Sequence, residues 1–363
     1  MLHEINKRIT ENIGKDFSFP WKRRIINMER KRLQGRDRME HLKELIIGKK
    51  QKIMFTEGWD ARVMKAAVQL VKENLAIPVL NGSRSNIIEK AEALNIDLSG
   101  VEIVDKKDYP RMDEMILKMV ELRRGKLTAL ECCDLLEHPS YFATMCLAMD
   151  DVDGLIGGAT ISTRETLRAA LQLIKTAPGC DIVSSCFLMS KGNRKYILGD
   201  CSLNIDPSED ELVEIAMQCA STARVFKMEP KVGMLSYSTF GSGGGAGVDK
   251  VRHAVQRLRR LPLSYEVDGE MQLDAAVAQE VAEIKAPNSR IAGQINTFIF
   301  PTLDAGNIGY KMMARFGGFE AVGPILQGMR KPLNDLSRGA TQTEIYKMAI
   351  VTAAQAMMNR VST

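Results

Sequence analysis

The chain has 363 residues, 45% of them hydrophobic and 26% charged, with a formal net charge of +5. That length points to two domains or one large α/β body, and the composition excludes a disordered or low-complexity chain. No apolar run approaches the roughly 18–20 residues that span a bilayer, the first residues lack the apolar centre of a secretory signal, and so mild a charge suits an anionic small molecule as well as a polymer.

Residues 1–48 form a basic extension. Leu2, Ile5, Ile9 and Ile13 recur at helical spacing, and a run of Lys and Arg follows from Lys22 to Arg38. Two readings stay open: a helical lead-in that packs on the main body, or an amphipathic address helix that docks on a shell or partner protein. An RNA-binding arm is a third, but no fold motif accompanies the charge.

From Gln51 an α/β rhythm begins. Strands are predicted at 52–56, 77–80 and 101–104, with helices at 61–74 and 85–94 between them. Helices follow over 111–124 and 127–149, then a short strand at 155–156, Gly157-Gly158, and a helix over 163–175. A second group of strands is expected at 182–189, 195–198, 232–237 and 297–300, with helices over 209–226 and 248–260. The last helix is expected over 341–359. Strands alternating with helices imply an α/β fold of two domains, with mainly parallel sheets covered by helices and an active-site cleft between them. The expected division is 49–178 plus 328–363 for the first domain and 179–327 for the second. Such sheets bind ligands beyond the carboxyl ends of their strands.

The seven cysteines are odd in number and irregular in spacing, without a C-x-x-C pair or a nearby histidine cluster. They read as reduced thiols of a cytoplasmic protein, with no metal site. Gly241-Ser242-Gly243-Gly244-Gly245-Ala246-Gly247 lies between a strand and a helix, where backbone amides can cradle a phosphate. It fits the relaxed dinucleotide pattern, with Glu266 and Asp268 roughly 20 residues on. A nicotinamide-binding loop, a flexible loop near another ligand and a plain connector all remain open.

The most informative stretch is 296–344. A strand ends at Phe300-Pro301, and 302–306 reads as a loop. Asn307, Gly309 and Lys311 follow, then a helix carrying Arg315. After Gly323-Pro324-Ile325-Leu326-Gln327-Gly328 comes Asn334-Asp335-Leu336-Ser337-Arg338-Gly339. This last hexapeptide resembles the signature of the phosphate acetyltransferases, within the phosphate acetyl/butyryltransferase family. Segments 157–175, 268–275, 301–311 and 323–331 resemble the same family, in order and at family spacing.

The resemblance implies two α/β domains with a cleft between them, and a homodimer. It implies reversible transfer of an acetyl group between acetyl phosphate and coenzyme A, by direct thiolate attack in a ternary complex. Coenzyme A is then a substrate; no bound cofactor, metal, nucleic acid or membrane is called for. Such chemistry needs a thiol drawn below its ordinary pKa of about 8.5, a polarised carbonyl and a held phosphate dianion. By resemblance Arg338 binds the phosphoryl group, and Ser337 donates to the carbonyl or positions the thiol. Arg315 is a further anion contact, and Arg123 and Arg168 match two more family arginines. Lys311 and Asn334 lie in the matching segments and are taken as substrate-binding.

The family's proposed thiol base, an aspartate seven residues after the signature serine, is Glu344 here. Thr341-Gln342-Thr343-Glu344 also reads as a helix capping box, so base and cap stay open. A longer acyl phosphate such as butyryl phosphate is an alternative substrate, because one methylene is worth only about 1–3 kcal/mol of discrimination. A non-catalytic regulatory module that binds acyl-CoA is an alternative of another class; it would be expected to lose Ser337 or Arg338, and both are present.

Overall fold

The computed structural model describes residues 38–361. The proposed address helix and most of the basic run precede Arg38 and lie outside the described residues. His41–Thr363 form one compact unit built on two sheets.

The first sheet holds β1 (Lys52–Phe55), β2 (Ile77–Asn81), β3 (Glu102–Val104), β4 (Gly154–Gly157) and β11 (Leu333–Asp335), in the order β11-β4-β1-β2-β3. Every pair is parallel. The strands β1, β2 and β4 read as unbroken apolar runs and are almost wholly buried, as expected of a sheet covered on both faces. The chain runs outward from β1 to β3, then returns to the other side of β1 to form β4. The strand order therefore reverses between β1 and β4, the kind of position where open α/β sheets bind ligands.

The second sheet holds β5 (Ser184–Lys191), β6 (Arg194–Gly199), β7 (Lys231–Leu235), β8 (Glu266–Met271), β9 (Thr297–Ile299) and β10 (Glu320–Gln327), in the order β10-β5-β6-β9-β7-β8. From β6 to β8 it is parallel. At the other edge β5 runs antiparallel to both β6 and β10. After building this sheet the chain returns to add β11 to the first one. Helix Gln342–Val361 then packs on helix Ala61–Lys72 and on β4, burying Ile345, Ala349, Ile350, Ala353 and Ala354.

Several elements depart from expectation for local reasons. The helix predicted over 127–149 is two helices, Ala129–Leu136 and Pro139–Ala148. Pro139 has no amide hydrogen to donate and fits only a first turn, so a new helix starts there. The strand β8 was hidden by its acidic residues. In β10, Gly323-Pro324 looks like a turn, yet the strand carries it at a register shift between Val322 and Ile325, where a proline needs no ladder bond. The loop expected over 302–306 is the first turn of helix Leu303–Arg315, capped by the Thr302 hydroxyl, which accepts from the Ala305 amide. Among the described residues no helix is long and apolar enough to cross a membrane.

Candidate active site

Three loops leave the carboxyl ends of β1, β4 and β11, and buried polar side chains bind them together. Glu57, after β1, is 1% exposed. Its Oε1 accepts from the amides of Gly158 (3.0 Å), Thr160 (3.0 Å) and Ile161 (3.1 Å) after β4. Arg62 lies at the start of the next helix, held by Asp60 through Nε at 3.0 Å and Nη2 at 2.9 Å. Its guanidinium donates to the carbonyls of Ala159 (2.8 Å), Arg338 (3.0 Å) and Ala340 (2.8 Å). One planar fork therefore fixes both the β4 loop and the signature loop.

The signature segment is anchored before it reaches the solvent. Asn334 is fully buried. Its Oδ1 accepts from the Leu326 amide at 2.8 Å, and its Nδ2 donates to Thr352 at 2.8 Å and Gln355 at 2.7 Å. The substrate contact expected of Asn334 does not fit this placement: every polar atom of the amide is already engaged, and it ties β11 to β10 and the last helix. Asp335, 1% exposed, accepts from the Thr163 hydroxyl at 2.5 Å. The Leu336 amide donates to the Gly157 carbonyl at 2.8 Å. Gly158 stands at φ +94°, and a side chain there would collide with Asp335 Oδ1 and lie 2.7 Å from the Leu336 carbonyl. Only a glycine lets the two loops touch.

Past this anchorage Ser337, Arg338 and Gly339 are exposed and open onto a cleft of about 1000 Å³. Its lining draws Thr163, Arg164, Ser337, Arg338 and Glu344 from segments around the first sheet, and Phe187, Tyr310, Lys311, Arg315 and Phe319 from segments of the second. Phe187 and Tyr310 stack with centroids 4.0 Å apart, giving a flat apolar surface. Four basic side chains, Arg164, Lys311, Arg315 and Arg338, face this volume. None forms an ion pair among the described residues; Lys311 lies 5.8 Å from the Tyr310 ring centroid. Glu320, on the same lining, is neutralised by Lys347. Unpaired cations in a partly apolar recess make a site for an anion.

The cleft thus gathers Ser337, Arg338, Glu344, Lys311 and Arg315 of the expected residues. Glu344 Oε2 accepts from the Thr341 amide at 2.7 Å and its hydroxyl at 2.9 Å, while the Glu344 amide donates back at 3.3 Å. The capping box is formed, with its carboxylate on the cleft lining. Arg123 and Arg168 are not in this cleft. Both lie near Tyr141, whose phenol is pushed up by burial while the two guanidinium charges pull it down. Arg123 Nε is buried without a hydrogen-bond partner.

Four contributors escaped the sequence reading: Glu57, Arg62, Arg164 and Asp335. Their common signal was position, at or just past the carboxyl ends of predicted parallel strands, and for Asp335 membership of the signature itself. Asp335 is the most perturbed. Burial, added to by the charge of Glu57 and opposed by the Thr163 and Thr166 hydroxyls, raises its carboxyl to about 7. Burial likewise raises Glu57, against the pull of its three amide donors.

The glycine-rich loop is not on this cleft, and its leading amides are taken. Gly241 donates to Glu270 at 2.7 Å and Gly243 to the Ser238 hydroxyl at 2.9 Å. Glu270 is 1% exposed and is further held by Arg252 and Ser238. A buried carboxylate thus occupies the start of the loop, which counts against a dinucleotide phosphate there.

Residues 37–353 match the family model for phosphate acetyl/butaryl transferase. The chain belongs to that family. It is 44% identical over 321 residues to a phosphate acetyltransferase of Bacillus subtilis, covering 88% of this chain and 99% of the relative. A phosphate acetyltransferase of Staphylococcus aureus is 43% identical over 325 residues, with the same coverage. Among solved structures, a phosphotransacetylase from Streptococcus pyogenes superposes with a TM-score of 0.85 at 46% identity, covering 88% of this chain and 98% of that one. The EutD phosphotransacetylase from Staphylococcus aureus gives 0.83 at 42% identity with the same coverage. A branched-chain phosphotransacylase from Enterococcus faecalis, 17% identical with a TM-score of 0.65 over 85% of this chain and 99% of that one, shares the fold.

Proposed function

We propose that this family member carries out reversible acetyl transfer between acetyl phosphate and coenzyme A in the cleft beneath the signature loop. Both substrates are bound together, and the thiolate attacks the acyl carbon directly. The observation that carries this reading is the gathering of three unpaired cations, Arg164, Lys311 and Arg315, around the exposed Ser337-Arg338 pair. Arg338 and Arg315 hold the phosphoryl group, whose dianion suits a planar guanidinium fork. The Ser337 hydroxyl donates to the acyl oxygen as charge develops there. The same positive field favours the thiolate over a thiol of ordinary pKa about 8.5. Glu344 holds Thr341 through Oε2 alone, which leaves Oε1 to take the thiol proton while the cap stays formed. Coenzyme A is a substrate, with Arg123 and Arg168 as a separate basic spot for its phosphates and the Phe187–Tyr310 stack as an apolar wall.

The division at 178 and 328 marks two domains flanking the cleft, in keeping with the change of sheet at each point. A second copy of the chain covers the outer face of helix Leu303–Arg315, where Ile308 and Met312 stand exposed one turn apart and Phe316 follows at 86% exposure. We place the enzyme in the cytoplasm, with the segment before Arg38 either packing on the main body or docking on a shell or partner protein.

Initial rates of thioester formation with coenzyme A varied against acetyl phosphate, then butyryl phosphate, test the reading. Intersecting lines and a preference for acetyl phosphate are expected. Parallel lines would point to an acyl-enzyme and overturn direct attack; a preference for butyryl phosphate would change the substrate.

A further inference from the structure

The buried carboxyl of Asp335 is the one charged group of the signature segment that the mechanism above leaves without work. It sits two residues before Ser337, at the end of β11, directly beneath the exposed part of the loop. One oxygen accepts from Thr163, at the start of helix Thr163–Leu173, at 2.5 Å. The other, Oδ1, is buried without a hydrogen-bond partner and stands over Gly158, close enough that a side chain there could not fit. Glu57, holding the Gly158–Ile161 backbone from below, is the nearest charge of like sign; Asp60 and Arg62 lie behind Glu57 and act on it. The Thr163 and Thr166 hydroxyls, from helix Thr163–Leu173, and the Leu336 amide are the other groups that face the carboxyl, and they favour its charged form.

We propose that Asp335 is a positioning residue of the transfer reaction: seated between Thr163, Gly158 and Glu57, its carboxyl sets where Ser337 and Arg338 stand. This rests on the acetyl-transfer reading of the cleft. The protonated form suits the seat, because it removes the repulsion with Glu57 and carries no unsolvated charge. The ionised form puts a second carboxylate behind the loop against Glu57, and the Thr163, Thr166 and Leu336 groups offset its burial only in part. Asp335 therefore couples loop geometry to pH near neutrality, in keeping with a carboxyl raised by burial. No proton passes from it to substrate; it acts through the loop.

The test compares Asp335→Asn and Asp335→Ala with the wild type, by turnover of acetyl phosphate and coenzyme A from pH 6 to 8.5 and by melting temperature over the same range. A displaced loop costs rate more than binding, so Asp335→Ala is expected to lose about 10–100-fold in kcat with a smaller change in KM. Asparagine has the shape of the neutral acid and cannot ionise. Asp335→Asn should therefore restore most of the rate at pH 6. Its rate relative to wild type should then rise about tenfold by pH 8 as the native carboxyl ionises. Its melting temperature should exceed that of wild type at pH 8 and match it more closely at pH 6. Turnover lost equally in the Asn and Ala variants, with both still folded, would overturn the proposal, because the carboxyl would then be needed as an acid or base. An Ala variant as fast as wild type would overturn it too. A wild type without turnover on any acyl phosphate would overturn the acetyl-transfer reading and this inference together, whereas an active wild type with insensitive variants would overturn this inference alone.

Discussion

Two loops of this molecule invite the same interpretation and behave in opposite ways. The glycine-rich loop at 241–247 and the signature loop at 335–340 each lead into a helix. In the first, backbone amides turn inward to Glu270 and Ser238, Tyr237 donates to the Gly244 carbonyl at 2.5 Å, and nothing charged points outward. In the second, the backbone carbonyls are taken by Arg62 and the Leu336 amide by Gly157, so that the Ser337 and Arg338 side chains are held out over the cleft. Glycine content is a poor guide to an anion site. The better question is where each backbone donor and acceptor goes, because a loop that satisfies itself has nothing left to offer a ligand.

The largest expected effect sets the two loops apart. Arg338→Ala removes an exposed guanidinium with no protein partner, so the melting temperature should stay within about 1–2 °C, while turnover falls by roughly 10²–10³, the usual cost of losing one charge-stabilising donor. Arg62→Ala comes next. It strips the signature loop of two backbone anchors and leaves Asp60 unpaired; a drop of about 10–100-fold in kcat is expected, together with a stability loss of roughly 2–3 kcal/mol, read by urea titration. Arg62→Lys should recover little, since one ammonium cannot reproduce the fork.

Smaller effects sharpen the contrast from the glycine side. The carboxyl of Glu270 is held below its ordinary value: burial would raise it, but the Gly241 amide, Arg252 and Ser238 outweigh that. A depressed folded-state pKa stabilises the protein above the unfolded value and loses that contribution as pH falls through the folded one. Glu270→Gln should thus lower the melting temperature at pH 7, with the gap from wild type narrowing in acid below about pH 4. Turnover should change by no more than about threefold, since the loop does not line the cleft. The smallest effect belongs to the cap. Glu344→Ala should cost about 0.5–2 kcal/mol of stability, and Glu344→Gln much less, because glutamine also completes a capping box. If Gln nevertheless stops turnover while the protein melts normally, the carboxylate is the thiol base and the cap only its resting place.

Much of the α/β body was legible because buried parallel strands announce themselves: 52–56, 77–80 and 155–156 are apolar and end in loops. The missing strands were those whose sequence carries something else. β11 is part of the signature, β8 is acidic, and β10 contains Gly323-Pro324; tertiary pairing overrode each local signal. At the site, Ser337, Arg338, Lys311, Arg315 and Glu344 were named and lie together. Asn334 was named for the wrong reason, as a short polar side chain near a signature says nothing about whether it faces the ligand or the core. Arg62 and Glu57 could not be found by type or spacing, since their partners are backbone atoms about 100 to 280 residues away and appear only when β1, β4 and β11 are brought side by side.

The most direct test of the account is steady-state turnover of acetyl phosphate and coenzyme A by Arg338→Ala beside Glu270→Gln, each checked for fold by its melting curve. The account predicts that the first keeps its stability and loses nearly all activity, while the second loses stability and stays active. The reverse pattern, with activity surviving at the signature loop and lost at the glycine loop, would contradict it and move the chemistry to the other end of the second sheet.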